Sequence, residues 1–255
     1  MQIEPNTFIC ADSIEVLREI QDKAFDLCLT DPPYGVNLGE TSGTGGSHGL
    51  ALKAYRSYVD SYENFCSEIV PRINMAIDKS KRSIVWTGPH IHEQRKPNCI
   101  GGVYNPAGCG RHGWGFKTFL PVLFYGTAPD INLGCPHPNT IQSSALAEKC
   151  GHPCPKPVEW MVWCILLGSR PGDLVVDPFC GSGTTALACH KTGRKFLCID
   201  KDAEYIKIAQ QRYSDLIAQQ NLFGENQDGA QNTSEGRGTA YNSAMPKQAQ
   251  YTMDL

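Results

Sequence analysis

Four short segments of this chain place polar groups just past runs of apolar residues: Asp12, Asp31–Tyr34, Asp177–Gly183 and Asp200. In "LTDPPYG" (Leu29–Gly35) two adjacent prolines, Pro32 and Pro33, follow the apolar run Phe25–Leu29. Proline offers no N–H to a sheet ladder, so the chain must leave the sheet there, and the two rings hold Asp31 and Tyr34 at a fixed spacing. "DPFCGSGTT" (Asp177–Thr185) reads as a strand end, a glycine turn and a helix start. Gly181 and Gly183 let the backbone pass close to a ligand, with helix N–H groups nearby. No Gly-Lys-Ser/Thr follows, so this is not a P-loop, and the absence of G-x-G-x-x-G counts against a dinucleotide. Asp200 closes the next apolar run, where a carboxylate can accept hydrogen bonds from ribose hydroxyls. Asp12 and Asp200 also read as helix caps, the first in "DSIE" with Glu15 at the fourth place. Together, after strands of one sheet, the four segments point to a nucleoside-containing cofactor in a single crevice.

The elements that must position them alternate. Strands are expected at Thr7–Cys10, Phe25–Leu29, Ser83–Thr87, Asp173–Asp177 and Lys195–Asp200, and helices at Ser13–Gln21, Tyr62–Ile77, Pro157–Leu167, Thr184–Gly193 and Asp202–Gln220. "FLPVLFYG" (Phe119–Gly126) reads as a further strand whose Pro121 suits an edge or a bulge. Alternation of this kind predicts an α/β fold, a doubly wound and mostly parallel sheet covered on both faces. Ligands of such sheets bind at the carboxyl ends of strands, near a topological switch point.

The chain has 255 residues, 41% hydrophobic and 19% charged, which suits one domain over residues 1–220. Gly39–Gly49 is rich in Gly and Ser and reads as a mobile loop, and residues 221–255 read as a polar, disordered tail. No apolar run approaches the roughly 20 residues of a membrane span, and the N-terminus lacks a signal-peptide pattern, so a cytoplasmic location is the default. The formal net charge of −3 gives no general attraction to nucleic acid, so any such contact must be local. Twelve cysteines in a chain this long are not a disulfide scaffold; Cys28, Cys164 and Cys198 sit in apolar patterns that bury a small thiol. Cys99, Cys109, His112, Cys135, His137, Cys150 and His152 show no tight C-x-x-C spacing, and no metal is expected.

"DPPYG" (Asp31–Gly35), "HPCPKP" (His152–Pro157) and "DPFCGSGTT" occur in that order, and "CADSIEVL" opens the chain's first helix. In this permuted order the chain resembles the β class of S-adenosylmethionine-dependent DNA amino-methyltransferases over most of Phe8–Tyr213. The resemblance implies a Rossmann-like methyltransferase fold with S-adenosylmethionine as cofactor. It implies a cofactor site formed by Asp12, Lys156, Asp177, Phe179, Gly181, Gly183, Thr184 and Asp200, with Asp200 on the ribose, Asp12 near the base and Lys156 toward the methionine end. It assigns catalysis to Asp31, Pro32, Pro33 and Tyr34. An exocyclic amino nitrogen is a poor nucleophile because its lone pair is delocalised into the ring. Asp31 and the Pro32 carbonyl can accept its two N–H bonds and localise that pair, while Tyr34 offers a platform for a base taken out of the stack.

Asp31 favours the N6 of adenine, because the cytosine-N4 enzymes of the class more often carry serine there; cytosine N4 is the alternative. Cytosine-C5 chemistry needs a nucleophilic cysteine, and neither Cys154 nor Cys180 lies in the Pro-Cys-Gln context of those enzymes. A second alternative is a catalytically silent protein that binds DNA or a clamp. Double-stranded DNA is the expected partner, contacted from a small recognition region at about residues 88–150. Lys79, Lys81, Arg82, Arg95, Lys96, Arg111, His112 and Lys117 are the candidate contacts, with Trp114 and Phe116 between them. "QQNLF" resembles peptides that dock on sliding clamps, through Gln219, Leu222 and Phe223. The sequence leaves oligomeric state open, a homodimer included, and assigns no origin, bacterial or phage, and no pairing with a restriction enzyme.

Overall fold

In a computed structural model of the chain, the described residues are 3–38, 55, 58–112, 114–129 and 138–224. Eight strands form one sheet: β1 (Thr7–Cys10), β2 (Phe25–Thr30), β3 (Ser80–Trp86), β4 (Cys99–Tyr104), β7 (Phe119–Tyr125), β8 (Thr140–Gln142), β9 (Leu174–Asp177) and β10 (Lys195–Asp200). Their order is β1-β10-β9-β2-β3-β7-β4-β8, and β5 (Arg111–His112) pairs with β6 (Gly115–Phe116) as a separate hairpin. All neighbours are parallel except β7, which runs antiparallel to both β3 and β4. The expected doubly wound, mostly parallel sheet is therefore present.

Strand periodicity explains how the sheet is covered. Leu27, Leu29, Val175, Phe196 and Cys198 point into a core with α4 (Val158–Gly168) and α5 (Thr184–Lys191). Their alternates Cys28, Val176, Leu197 and Ile199 meet α1 (Ser13–Arg18) and α3 (Val70–Lys79) on the other face. Two-sided burial is what continuous apolar strands require. Cys28, Cys164 and Cys198 are all fully buried, as the apolar patterns predict.

Three elements depart from expectation. The helix expected over Tyr62–Ile77 starts as α2 (Tyr62–Asn64), passes through a π turn at Phe65–Ile69 and continues as α3. Pro71 lies at the start of α3 and cannot donate to the preceding turn; Val70 N bonds Phe65 O instead, widening the helix there. Pro121 is at neither an edge nor a bulge: β7 is paired on both sides. The sheet tolerates it because Gly102 N turns away to Asn139 O, so Pro121 needs no bond to β4. On its other side the β3 ladder has ended at Trp86, where Thr87 N donates to Pro121 O. Within residues 88–150, β4, β7 and β8 extend the main sheet, and among the described residues Asn105–Thr118 carries the separate β5–β6 hairpin. The expected loop at Gly39–Gly49 and the tail from residue 225 on lie outside the described residues. α6 (Ala203–Gly224) runs through Gln219–Phe223, which is therefore helical; the side chains of Leu222 and Phe223 are outside the described set. Among the described residues, no helix is long and apolar enough to cross a membrane.

The chain order reverses between β9 and β2: from β9 it proceeds outward to β10, from β2 outward to β3. That pair is the topological switch point, and it is fastened by a buried side-chain bond. Thr30 Oγ1 donates to Asp177 Oδ1 at 2.7 Å, Thr185 Oγ1 donates to Oδ2 at 2.5 Å and Phe179 N donates to Oδ1 at 3.1 Å. Burial raises the Asp177 carboxyl to about 7, despite these donors. The folded protein thus holds that proton more tightly than the unfolded chain. Its contribution to stability is full below about pH 4 and is lost as the pH rises through about 7, by on the order of 4 kcal/mol at most. Asp177→Asn keeps the shape and removes the charge. Urea unfolding should find its stability changing less than the wild type's between pH 4 and 8, and no lower at pH 8; an equal or steeper decline in the variant would contradict this role.

Candidate active site

The parallel register sets four strand ends level. Cys10 pairs with Asp200, Cys198 with Asp177, and Val176 with Cys28. Asp12, Asp31, Phe179 and Asp200 therefore all lie at or just past one edge of the sheet, and all four line one pocket. The expected convergence of the segments is what the register produces.

Asp31 leaves β2 into the two prolines, both trans. Its Oδ1 accepts from Tyr34 Oη at 2.5 Å and its Oδ2 from Lys156 Nζ at 2.6 Å. Lys156 Nζ also donates to Tyr34 Oη at 3.2 Å and stands 5.3 Å from the Tyr34 ring and 5.6 Å from that of Trp86. The lysine delivered by "HPCPKP" thus meets the acid of "DPPYG". Burial, and then the Asp31 charge, raise the Tyr34 phenol well above 10, so it remains a proton donor. The Tyr34 ring lies against Gly88: a Cβ there would come within 2.8 Å of Tyr34 Cβ.

The rest of the pocket is acidic and aromatic. Asp12 caps α1 through Ile14 N (3.0 Å) and also takes Arg72 Nε at 2.9 Å and Nη2 at 2.5 Å. The cap and the pocket-lining roles coexist. The Arg72 bond, opposed by partial burial, holds its carboxyl below the usual range. Asp200 is not the helix cap it could be read as: Asp202 caps α6, accepting from Glu204 N at 2.9 Å, while Asp200 accepts from Asp202 N at 2.9 Å through one oxygen and from Gly181 N at 2.9 Å through the other. Burial raises its carboxyl. Gly181 has φ +49°, and a Cβ on it would lie 2.8 Å from His152 Nε2. His152 Nδ1 accepts from Cys154 N at 3.3 Å, which places the ring proton on Nε2. Burial lowers this imidazole to about 4, so it is neutral at pH 7.

Other expected cofactor residues stand behind the pocket. Asp177 spends its oxygens on Thr30, Thr185 and Phe179. Gly183 (φ +79°) is needed by packing: a Cβ would meet Ala209 Cβ of α6 at 2.7 Å. Thr184 is buried, its Oγ1 3.4 Å from Arg212 Nη1, which also donates to Ser182 O at 2.6 Å. Arg212 therefore clamps the glycine turn from α6. Arg212, Arg72 and Gly88 carry no local motif, and only the tertiary fold reveals them.

The expected basic contacts divide. Lys79, Lys81, Arg82 and Arg95 lie at the amino edge of the sheet, opposite the pocket, bonded to Asp22, Asp26, Gly168 O and Asp78. As candidate contacts for DNA they therefore face away from the pocket; Lys96 follows Arg95. Because β7 is antiparallel to β3, the segment from β4 to β7 rises from the pocket's own edge. It carries Trp114, 97% exposed, and Phe116, 71% exposed, with Lys117 beside them. Arg111 and His112 form β5, but their side chains are outside the described set. Burial raises the thiols of Cys154 and Cys180, so neither is a ready thiolate. Among the described residues, no three His, Cys, Asp or Glu side chains form a metal cluster; Cys135 and His137 fall outside them.

A family model of N6/N4 DNA methylases matches residues 78–211, just over half of the chain, beginning after the Asp31–Tyr34 segment. The DNA adenine methyltransferase YhdJ of Escherichia coli (strain K12) is 46% identical over a 254-residue alignment, covering 82% of this chain and 83% of that protein. The type II methyltransferase M2.LlaDCHI of Lactococcus lactis subsp. cremoris is 24% identical over 245 residues, covering 79% and 87%. Among solved structures, the M1.HpyAVI–SAM complex superposes with a TM-score of 0.55 at 18% identity, covering 81% of this chain and 98% of that one. The cytosine-N4-specific PvuII DNA methyltransferase gives 0.57 at 16% identity, covering 88% and 94%. At these identities the two structures speak to the fold alone.

The packing of Tyr34 on Gly88 makes a specific demand. Gly88→Ala should push the ring off its seat, lowering methyl transfer to DNA by more than tenfold while the affinity for S-adenosylmethionine stays within about twofold. Wild-type transfer by this variant would show that the ring's seat is unimportant.

Proposed function

The chain belongs to the DNA methylase family of N6/N4 methyltransferases, and from that premise we propose that it methylates the N6 amino group of adenine in double-stranded DNA. The observation that carries the reading is Asp31, a carboxylate anchored by Lys156 at the switch point, beside the Gly181 turn. Adenine is favoured because position 31 is Asp and because the relative at 46% identity is named as an adenine methyltransferase. Cytosine N4 is the runner-up, since the same acceptor geometry serves either amino group.

The family depends on S-adenosylmethionine, and the pocket suits such a ligand. It combines carboxylates (Asp12, Asp31, Asp200), aromatic faces (Tyr58, Phe179, Tyr205) and a turn at Gly181 that a Cβ would fill. Acids match a sulfonium and ribose hydroxyls, and the aromatics match a purine. When bound, the cofactor supplies an electrophilic methyl group. Gly181 and Asp200 would border its ribose, and Asp12, held by Arg72, would lie toward the base.

The chain's own residues prepare the nucleophile. Asp31 Oδ1 and the Pro32 carbonyl would accept the two N–H bonds of the target amino group, leaving its lone pair on nitrogen. Tyr34 Oη occupies Oδ1 in this conformation, so an arriving base must displace that bond and free the ring to stack. Lys156 stays on Oδ2 and keeps the carboxylate aimed during the exchange. After transfer, Asp31 Oδ1 is the nearest base for the proton that the methylated nitrogen sheds. Positioning and electrostatics supply the catalysis, with no covalent enzyme intermediate. The β5–β6 hairpin, rising on the same edge with Trp114 at its turn, would contact the duplex beside the extracted base.

Incubation with isotope-labelled S-adenosylmethionine and unmethylated bacterial DNA, followed by mass spectrometry of the nucleosides, should yield labelled N6-methyladenine. Labelled N4-methylcytosine alone would overturn the choice of base, and no labelled nucleoside would overturn the function. Trp114→Ala should weaken DNA binding roughly tenfold or more, the scale of one base–aromatic stack, without altering cofactor affinity. Unchanged DNA affinity would remove the hairpin from the interface.

A further inference from the structure

The four backbone N–H groups that follow Tyr34 converge on one residue. Asp60 Oδ1 accepts from Gly35 N at 2.7 Å, and Oδ2 accepts from Val36 N and Leu38 N, each at 3.2 Å. The remaining donor, Asn37 N, bonds the Asp60 carbonyl at 2.6 Å. The turn achieves this with two left-handed residues, Gly35 at φ +70° and Asn37 at φ +53°. Alternating backbone of that kind points successive N–H groups inward as a nest for an anion, and here the anion is a side chain of the same protein. Asp60 is only 4% exposed. It follows the pocket-lining residue Tyr58 by two positions, and its charge helps raise Tyr55, Tyr58 and Cys154.

Asp60 joins two walls of the site. On one side it holds the chain that leaves Tyr34. On the other it directly precedes Ser61, the cap of α2, from which the helix runs on to Glu68, Ile69 and Arg72 at the pocket. Gly35 is pressed into this corner: a Cβ there would lie 2.7 Å from Phe65 Cβ and 3.2 Å from Ser61 O, and its carbonyl lies 3.1 Å from His90 Nε2. Tyr34 is thus held through its ring by Gly88 and through its following backbone by Asp60.

We propose that Asp60 is a positioning residue for methyl transfer: its grip on Gly35, Val36 and Leu38 sets the direction in which Tyr34 and Asp31 meet the target base. The proposal rests on the reading of Asp31 and Tyr34 given above. It separates two properties that a merely structural residue would change together. Asp60 makes its bonds to the turn after Tyr34, and reaches the cofactor side of the pocket only through its charge on Tyr55 and Tyr58, while Gly181, Asp200 and Asp12 are held by other partners. The chemical step should therefore slow far more than cofactor affinity falls.

Asp60→Asn turns an amide toward two N–H donors and should lower single-turnover methyl transfer at least tenfold, with the dissociation constant for S-adenosylmethionine within about twofold. Should that buried change prevent folding, Asn37 supplies an exposed route to the same turn. Asn37→Gly accepts a left-handed φ freely and should retain wild-type transfer, whereas Asn37→Val resists it and should slow transfer several-fold at unchanged cofactor affinity. Ser61→Ala, which removes the neighbouring cap, should lower the melting temperature without slowing transfer. Asp60→Asn or Asn37→Val at the wild-type rate, or cofactor affinity falling in step with transfer, would overturn the proposal. Asp31→Ala serves as the control for the site itself: it should transfer no label above background, and activity there would instead overturn the reading on which this role of Asp60 depends.

Discussion

Asp177 is a carboxylate closed off from water between two strands whose chain connections diverge. Its oxygens join Thr30 at the end of β2 to Thr185 at the start of α5, across the point where the sheet reverses direction. An ionisable group there carries a desolvation cost, visible in the carboxyl raised to about 7. What the cost sustains is geometry. The turn through Gly181 starts from Asp177, and the Asp31–Tyr34 segment starts from Thr30. Fastening those two residues fixes how the two segments face each other.

From that joint outward, each polar group is held by a neighbour with a different origin in the chain. Gly181 is held by Asp200, Ser182 by Arg212, Asp31 by Lys156, and Asp12 by Arg72. Few of these contacts are local in sequence; Lys156 and Asp31 lie 125 positions apart. The acids of the pocket are therefore not loosely solvated but oriented, as preorganised electrostatic catalysis requires. Tyr34 and Lys156 occupy both oxygens of Asp31, so the carboxylate is satisfied in the resting site; in the proposed mechanism it yields one oxygen to the arriving amino group.

Much of this was legible in the amino-acid sequence, for reasons that can be named. Strand β10 and its neighbours have unbroken apolar runs, and Pro32, Pro33, Gly181 and Gly183 mark where the chain must turn. Other features were hidden because local signals had several readings. Gly183 looked like a ligand cradle and is a helix contact with Ala209. Asp177 looked like a pocket acid and is a buried fastener. Lys79, Lys81, Arg82 and Arg95 looked like a basic patch, yet β3 begins at the edge opposite the site and pairs them with acids there. Pro121 argued for an edge strand, and only the bond partners of Gly102 and Thr87 show why an interior strand can hold it. Asp60, Gly88 and Arg212 follow no motif, since what they do depends on residues brought near by the fold.

In the proposed mechanism the Asp31 carboxylate, and not merely the pocket around it, drives methyl transfer. The most direct measurement is the single-turnover rate of Asp31→Asn at saturating cofactor and DNA. The amide keeps the size of the side chain but loses one acceptor and the charge that Lys156 holds. The rate should lie at least a thousandfold below wild type even though both ligands are saturating. A rate within a few-fold of wild type would contradict it.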